Sequence, residues 1–158
     1  MSLFENQPSD VLYFSMDDPA ELMSRNSPHP FVLDDISWLT VEHYYQANKF
    51  DIGKHQQKIQ QEPTAEEAKK LGKAVFKKKR SDLKLVRKVL MTRAVYTQAK
   101  TYPSIAQRIL ETSNRKLVEN SQFDYYWGCG RDHRGDNHYG KTLMQVRDKL
   151  LSESIDEN

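Results

Sequence analysis

The stretch Ser81–Leu110, SDLKLVRKVLMTRAVYTQAKTYPSIAQRIL, decides the fold class. Ser81 or Asp82 can cap a helix whose apolar positions Leu83, Val86, Leu90 and Ala94 recur at spacings of three and four, the period that keeps one face inward. That helix must end before the Tyr102-Pro103 step, because the residue preceding a proline is pushed away from helical geometry. Pro103 suits the first turn of a further helix, where its missing N–H is no loss, with Ile105, Ala106, Ile109 and Leu110 turned inward.

The same signals extend to both sides. Upstream, Thr40 is a good N-cap for a helix through about Phe50, with Val41, Tyr44, Ala47 and Phe50 as its apolar positions. After Pro63, Thr64 and Glu67 make a capping box for a helix carrying Ala68, Leu71 and Val75. Downstream, a last helix should follow Gly140, using Leu143, Val146 and Leu150. Short β-type runs, Val11–Ser15 and Phe31–Leu33, precede the helices, with Pro28, Pro30 and Asp34-Asp35 as turns. Residues 1–9 and Ser152–Asn158 read as loose ends. Without repeats or a Gly/Ser linker, residues 1–158 are expected to form a single mainly helical (mainly α) domain with a few short β-strands, its core spanning about residues 11–150.

Bulk properties narrow the function classes. Hydrophobic content is only 37%, but two Trp, eight Tyr and six Phe are too many for a disordered chain. No apolar run approaches the ~20 residues that span a bilayer, and MSLFENQPSD lacks the basic start and apolar stretch of a signal peptide. With the single cysteine, Cys129, this points to a cytoplasmic protein with no membrane partner. The net charge of +2 conceals a basic segment: residues 69–93 carry eleven Lys or Arg against one acid, Asp82. Such a run is commonly a solvated helix face, but it can also attract phosphate or nucleic acid.

Two places could carry chemistry. At about 100° per residue, Glu42, Gln46 and Lys49 fall in one polar row on the first helix, with Tyr45 to one side. Spacing alone allows the row to be an ordinary solvated face. The segment Asp124–Gly140, DYYWGCGRDHRGDNHYG, has four glycines among 17 residues with aromatics interleaved, which reads as a long binding loop. The five histidines lack metal-ligand spacing, no phosphate-binding glycine motif of the familiar types is present, and Cys129 has no catalytic partner beyond nearby His133. Neither a metal nor a cofactor is expected.

Both places also carry a family resemblance. HPFVLDDISWLTVEHYYQANKF, from His29 to Phe50, resembles the first signature of the NADAR (YbiA-like) family, most specifically in EHYYQ-x-x-KF. LVENSQFDYYWGCGRDHRGDNHYGKTLMQVR, from Leu117 to Arg147, resembles its closing signature, with YWG-x-G as the most specific part. The resemblance implies a YbiA-like fold and cleavage of N-glycosidic bonds. The substrates it implies are small phosphorylated, nucleotide-like molecules: phosphorylated riboflavin intermediates, or ADP-ribose attached to guanine, which could bring in nucleic acid. No obligate protein partner is expected. Carried over residue by residue, the resemblance makes Glu42, Lys49 and Asp124 the catalytic candidates and Tyr45, Gln46, Trp127, Gly128 and Asn137 the substrate-binding ones; Arg25, where the chain departs from the family pattern, is a further substrate-binding candidate.

The chemistry suits these residue types. Breaking a ribose C1–N bond builds positive charge on the sugar, which a carboxylate at Glu42 or Asp124 can stabilise. A desolvated amine at Lys49 can instead attack C1 and form a Schiff base. Trp127 can stack on a base, and Arg131, Arg134 or the run Lys77–Arg80 can meet phosphate. The chain departs from the family pattern at Ser24-Arg25-Asn26, where Ser-Asn-Phe is usual, and at Leu83, where a tryptophan is usual. Asp35 and Leu39 replace a glycine and a proline. These changes leave open an altered substrate or a non-catalytic ADP-ribose or nucleotide-binding module. A nucleic-acid-binding domain using the 69–93 face is a third reading.

Overall fold

A computed structural model describes residues 10–157; the expectation for residues 1–9 lies outside the described residues. Strand β1 (Val11–Phe14) is followed by a hairpin of β2 (Phe31–Leu33) and β3 (Ile36–Trp38), and then by α1 (Val41–Ala47), α2 (Lys54–Gln60), α3 (Ala65–Gly72), α4 (Leu83–Thr101) and α5 (Pro103–Glu111). Strand β4 (Lys116–Glu119) and helix α6 (His138–Asp156) complete the described chain. The architecture is mainly helical, as expected, and none of its described helices is long and apolar enough to cross a membrane.

Two small two-stranded sheets accompany the helices. In the hairpin, Leu33 pairs with Ile36 and Phe31 with Trp38, so the loop is the two residues Asp34 and Asp35. Both have positive φ, 56° and 62°, the geometry a tight two-residue hairpin needs and one that Asp tolerates better than most side chains. The other sheet pairs β1 in parallel with β4, Val11 against Lys116 and Phe14 against Glu119. A parallel pair needs a long crossover, and here everything from β2 to α5 lies within it. The four-residue KLVE was too short for sequence periodicity to mark as a strand.

Helix α1 is central, packing against α2, α3, α4 and β3. Thr40 caps it as expected, its hydroxyl oxygen accepting from the His43 N–H at 3.1 Å. His43 is fully buried and spent on structure, its Nδ1 2.8 Å from Thr40 Oγ1 and its Nε2 2.8 Å from the Glu62 carbonyl. Burial lowers its pKa, which suits a neutral ring with Nε2–H donating to that carbonyl.

Several expected boundaries move. α1 stops at Ala47 rather than Phe50, because the Asn48 side-chain amide donates to the Tyr44 carbonyl at 2.7 Å and the next turns close three residues back. Lys49 therefore lies just past the helix. α3 starts at its Thr64 cap but ends at Gly72, leaving Val75 exposed instead of in the core. In α4 the inward stripe is Leu90, Met91, Ala94, Val95 and Ala99, while Leu83 and Val86 are only partly covered. The expected Asp82 cap gives no side-chain bond, because Arg80 holds its carboxylate at 2.6 and 3.0 Å. α2 went unseen because KHQQKIQ has one apolar residue, Ile59. α6 begins at His138, before Gly140, and runs through the expected loose tail as far as Asp156. Leu150 is buried near that end, so the tail continues a packed helix.

Candidate active site

The polar row of α1 is not a solvated face. All seven helix residues are buried, and Glu42 is 0% exposed. The Gln46 amide donates to Glu42 Oε1 at 2.6 Å, and its carbonyl oxygen accepts from Lys49 Nζ at 2.9 Å. One amide thus orients both a carboxylate and an amine. Helix α3 closes over this amide at Gly72, where a Cβ would come within 1.9 Å of Gln46 Oε1. Only glycine permits that approach.

Lys49 is half-buried, and its pKa falls from 10.5 to about 8. Burial is the main cause; Lys79, Lys73 and Lys69 add to it, and only Glu42 among the charged neighbours opposes it. Its ammonium lies 5.9 Å from the Tyr45 ring centroid. Tyr45 is itself pushed up to about 12 by burial and packs edge-on against Trp127, ring centroids 5.2 Å apart.

Arg25 joins this row to the loop. It is 2% exposed, with Nε 3.7 Å from Glu42 Oε2 and a terminal nitrogen 3.4 Å from Asp124 Oδ2. Its guanidinium also faces Trp127 at 5.9 Å and Tyr139 at 5.2 Å, and Nε donates to Met16 Sδ. Burial alone would favour a neutral guanidine, but Glu42, Asp124 and Glu119 outweigh it and raise the pKa. Asp124 is held below the usual carboxylate range: burial pushes it up, but Arg25 and the N–H groups of Trp127 and Tyr126 prevail. Those two amides meet Asp124 Oδ1 at 2.7 and 3.1 Å.

The loop between β4 and α6 is ordered by a backbone ladder. The carbonyls of Tyr125, Tyr126, Trp127 and Gly128 accept from Asp136, His138, Tyr139 and Asn137 respectively, at 2.8–3.0 Å. Two of those donors open α6, so the loop also satisfies N–H groups a helix start leaves unpaired. Asn137, at φ 52°, spends its side chain on β4, accepting from the Glu119 N–H at 3.0 Å and donating to the Leu117 carbonyl at 2.8 Å. At Gly128 a Cβ would come within 2.3 Å of Glu119 Oε2. Trp127 is 5% exposed, packed among Tyr45 and Tyr126.

Glu119 was missed by the sequence reading, having no motif beyond its place in LVEN. It is fully buried at the end of β4, bonds Ser121 through Oε1, and has its pKa raised chiefly by burial. Its Oε2 and Glu42 Oε2 are both buried without a hydrogen-bond partner.

Beside Asp124 lies a cleft of about 750 Å³. Met16 and Asn26, the loop segment 120–126, and two lysines, Lys69 of α3 and Lys73 at its C-terminal cap, line it. None of the cations expected from sequence lines this cleft, although Lys79 acts on Lys49. Arg131 and Arg134 are exposed on the far part of the loop, Lys77, Lys78 and Lys79 are exposed, and Arg80 is taken by Asp82. Leu83 is half-buried, and one turn on, Arg87 stacks on Tyr126 at 3.6 Å. Among the described residues no three His, Cys, Asp or Glu side chains come together as a metal site.

The model of the NADAR domain matches residues 3–151. The chain belongs to the NADAR family. Within it, this NADAR chain is 39% identical over 144 residues to an N-glycosidase of Nostoc punctiforme, covering 89% of this chain and 92% of that protein. The N-glycosidase YbiA of Escherichia coli is 29% identical over 147 residues, covering 93% and 92%. A maize chloroplastic riboflavin biosynthesis protein, PYRR, is 36% identical over 143 residues, which are 81% of this chain but 23% of the longer plant protein. The NMR structure of Escherichia coli YbiA superposes with a TM-score of 0.84 at 29% identity, covering 92% of this NADAR chain and 87% of that one.

Proposed function

We propose that this chain is an N-glycosidase that cleaves the bond between ribose C1 and nitrogen in a small phosphorylated, nucleotide-like substrate. The observation that carries the reading is the buried sequence Lys49–Gln46–Glu42–Arg25, an amine of lowered pKa and a carboxylate oriented by one amide. At neutral pH a lysine near 8 has far more free amine than an ordinary one.

In the proposed reaction the Lys49 amine bonds to C1 as the C1–N bond breaks, and the departing base takes up a proton. Ring opening gives a Schiff base, and water releases the sugar and regenerates the amine. Positive charge builds at C1 in both halves, and Glu42, whose Oε2 lacks a hydrogen bond, is the carboxylate available to stabilise it. Asp124 is occupied by Arg25 and two backbone amides, so a positioning role suits it better than proton transfer. Arg25, Gly128 and Asn137 hold the row and the loop in place, while Tyr45 and Trp127 pack edge-on beside them.

The riboflavin biosynthesis name borne by the maize relative makes an early phosphoribosylated intermediate of that pathway the first substrate to test, with ADP-ribosylated guanine as the second. Purified protein should release free base from one of them, Glu42→Gln should slow release by about 100-fold or more, and borohydride during turnover should trap a sugar on Lys49. Turnover without any trapped adduct would exclude the lysine route in favour of direct attack by water.

A further inference from the structure

The lysines at and just after α3 differ in their partners. Lys70 pairs with Glu66 at 3.5 Å on the solvent side. Lys69 and Lys73, one turn apart, line the cleft, and neither has an ion-pair or hydrogen-bond partner among the described residues. They flank the point where Gly72 closes on Gln46, the amide that holds Lys49 and Glu42. Asn26, Asn120 and Ser121 add neutral polar groups to the same lining. The cleft's carboxylates are Asp17 and Asp124, and Lys69 also acts on Asp124, so an anion is favoured on the side of the two lysines away from that carboxylate.

We infer that Lys69 and Lys73 form a subsite for a terminal phosphate monoester at the end of the cleft where Gly72 closes on Gln46, the amide bonded to Lys49; Lys49 and Glu42 do not themselves line the cleft. The inference rests on the glycosidase reading only for the identity of the sugar bearing that phosphate. Two ammonium groups one turn apart suit a dianion, and a cleft of about 750 Å³ has room for a phosphorylated pentose and its base.

The subsite is coupled to the reacting amine. The charged groups acting on Lys49 are Glu42 from α1, Lys69 from α3, and Lys73 and Lys79 from its cap and the segment after it. A bound dianion offsets the repulsion from Lys69 and Lys73 and makes Lys49 easier to protonate. Replacing the two lysines should do the same in the free protein.

The test is calorimetric titration of the full chain with ribose 5-phosphate, ribose and ADP-ribose. The variants are Lys69→Gln/Lys73→Gln and, as a control of equal charge loss outside the cleft, Lys77→Gln/Lys78→Gln. Ribose 5-phosphate affinity should fall about ten-fold in the first pair and less than about two-fold in the control, with ribose unaffected. The alkaline rise of base release should move to higher pH in the first pair only. Equal losses in both pairs, or no loss in the first, would overturn the subsite. An equal loss for ADP-ribose, whose phosphates are internal, would overturn its assignment to a monoester. Base release with ribose 5-phosphate binding insensitive to Lys69 and Lys73 would leave the glycosidase standing and remove the subsite. Lysine-dependent binding with no base release from any substrate would do the reverse.

Discussion

In α1 the site is held by its own side chains: Gln46 grips Glu42 on one side and Lys49 on the other, at helical spacing. In the loop between β4 and α6 the backbone does the holding, with four carbonyls in a ladder and Asn137 clamped to β4. A helix can place reactive groups because its geometry is already paid in backbone hydrogen bonds. A loop must first build that geometry, and most of its polar groups are consumed in doing so. Hence the reactive groups come from α1 and the turn just after it, while the loop offers Asp124 with both oxygens engaged.

Arg25 is the joint between the two regions, so breaking it should have the largest effect. Arg25→Met leaves Glu42, Asp124 and Glu119 crowded without their cation, and urea unfolding should show a loss of about 3–5 kcal/mol. Asn137→Ala attacks the loop alone. It strips β4 of one buried acceptor and one buried donor, and should cost about 2–4 kcal/mol by the same measurement.

Gly72→Ala attacks the row alone, since the added methyl must push the Gln46 amide away. Overpacking of this kind costs about 1–3 kcal/mol, and base release should slow more than the melting temperature falls, because Lys49 and Glu42 lose their common partner. The smallest effect is a sharpening one. Lys49 binds its proton less tightly folded, at about 8, than at the ordinary 10.5, so between those values the unfolded chain holds more protons and stability rises with pH. The penalty is fully present below pH 8 and relieved toward 10.5. Lys49→Met should therefore raise the melting temperature at pH 7 and lose that advantage by about pH 10.5.

Much of this was legible in the residues. Caps with a side-chain oxygen, Thr40 and Thr64, announced their helices, and Pro103 marked the break between α4 and α5. What failed to show was structure made by distant pairing: β4 exists because Leu117 and Val118 meet a strand about a hundred residues earlier. The site split in the same way. EHYYQ-x-x-K gave the row, yet its burial could not be read from spacing, since the same pattern serves an exposed face. Glu119 was invisible, because only the tertiary fold turns the end of β4 toward Arg25. The basic segment read as one feature separates into Lys69 and Lys73 in the cleft and Lys77–Lys79 in solvent.

Helix α1 has seven residues, too few to persist alone in water, and every one of them is buried. Its amide hydrogens can therefore reach solvent only when the surrounding helices separate, and their exchange should report the opening of the whole domain rather than a local fluctuation. A site anchored on such a segment has no half-melted form for a small molecule to trap. An inhibitor would have to match the folded cleft, and a mutation that weakens any of the helices around α1 would lower the working concentration of the site without touching its chemistry.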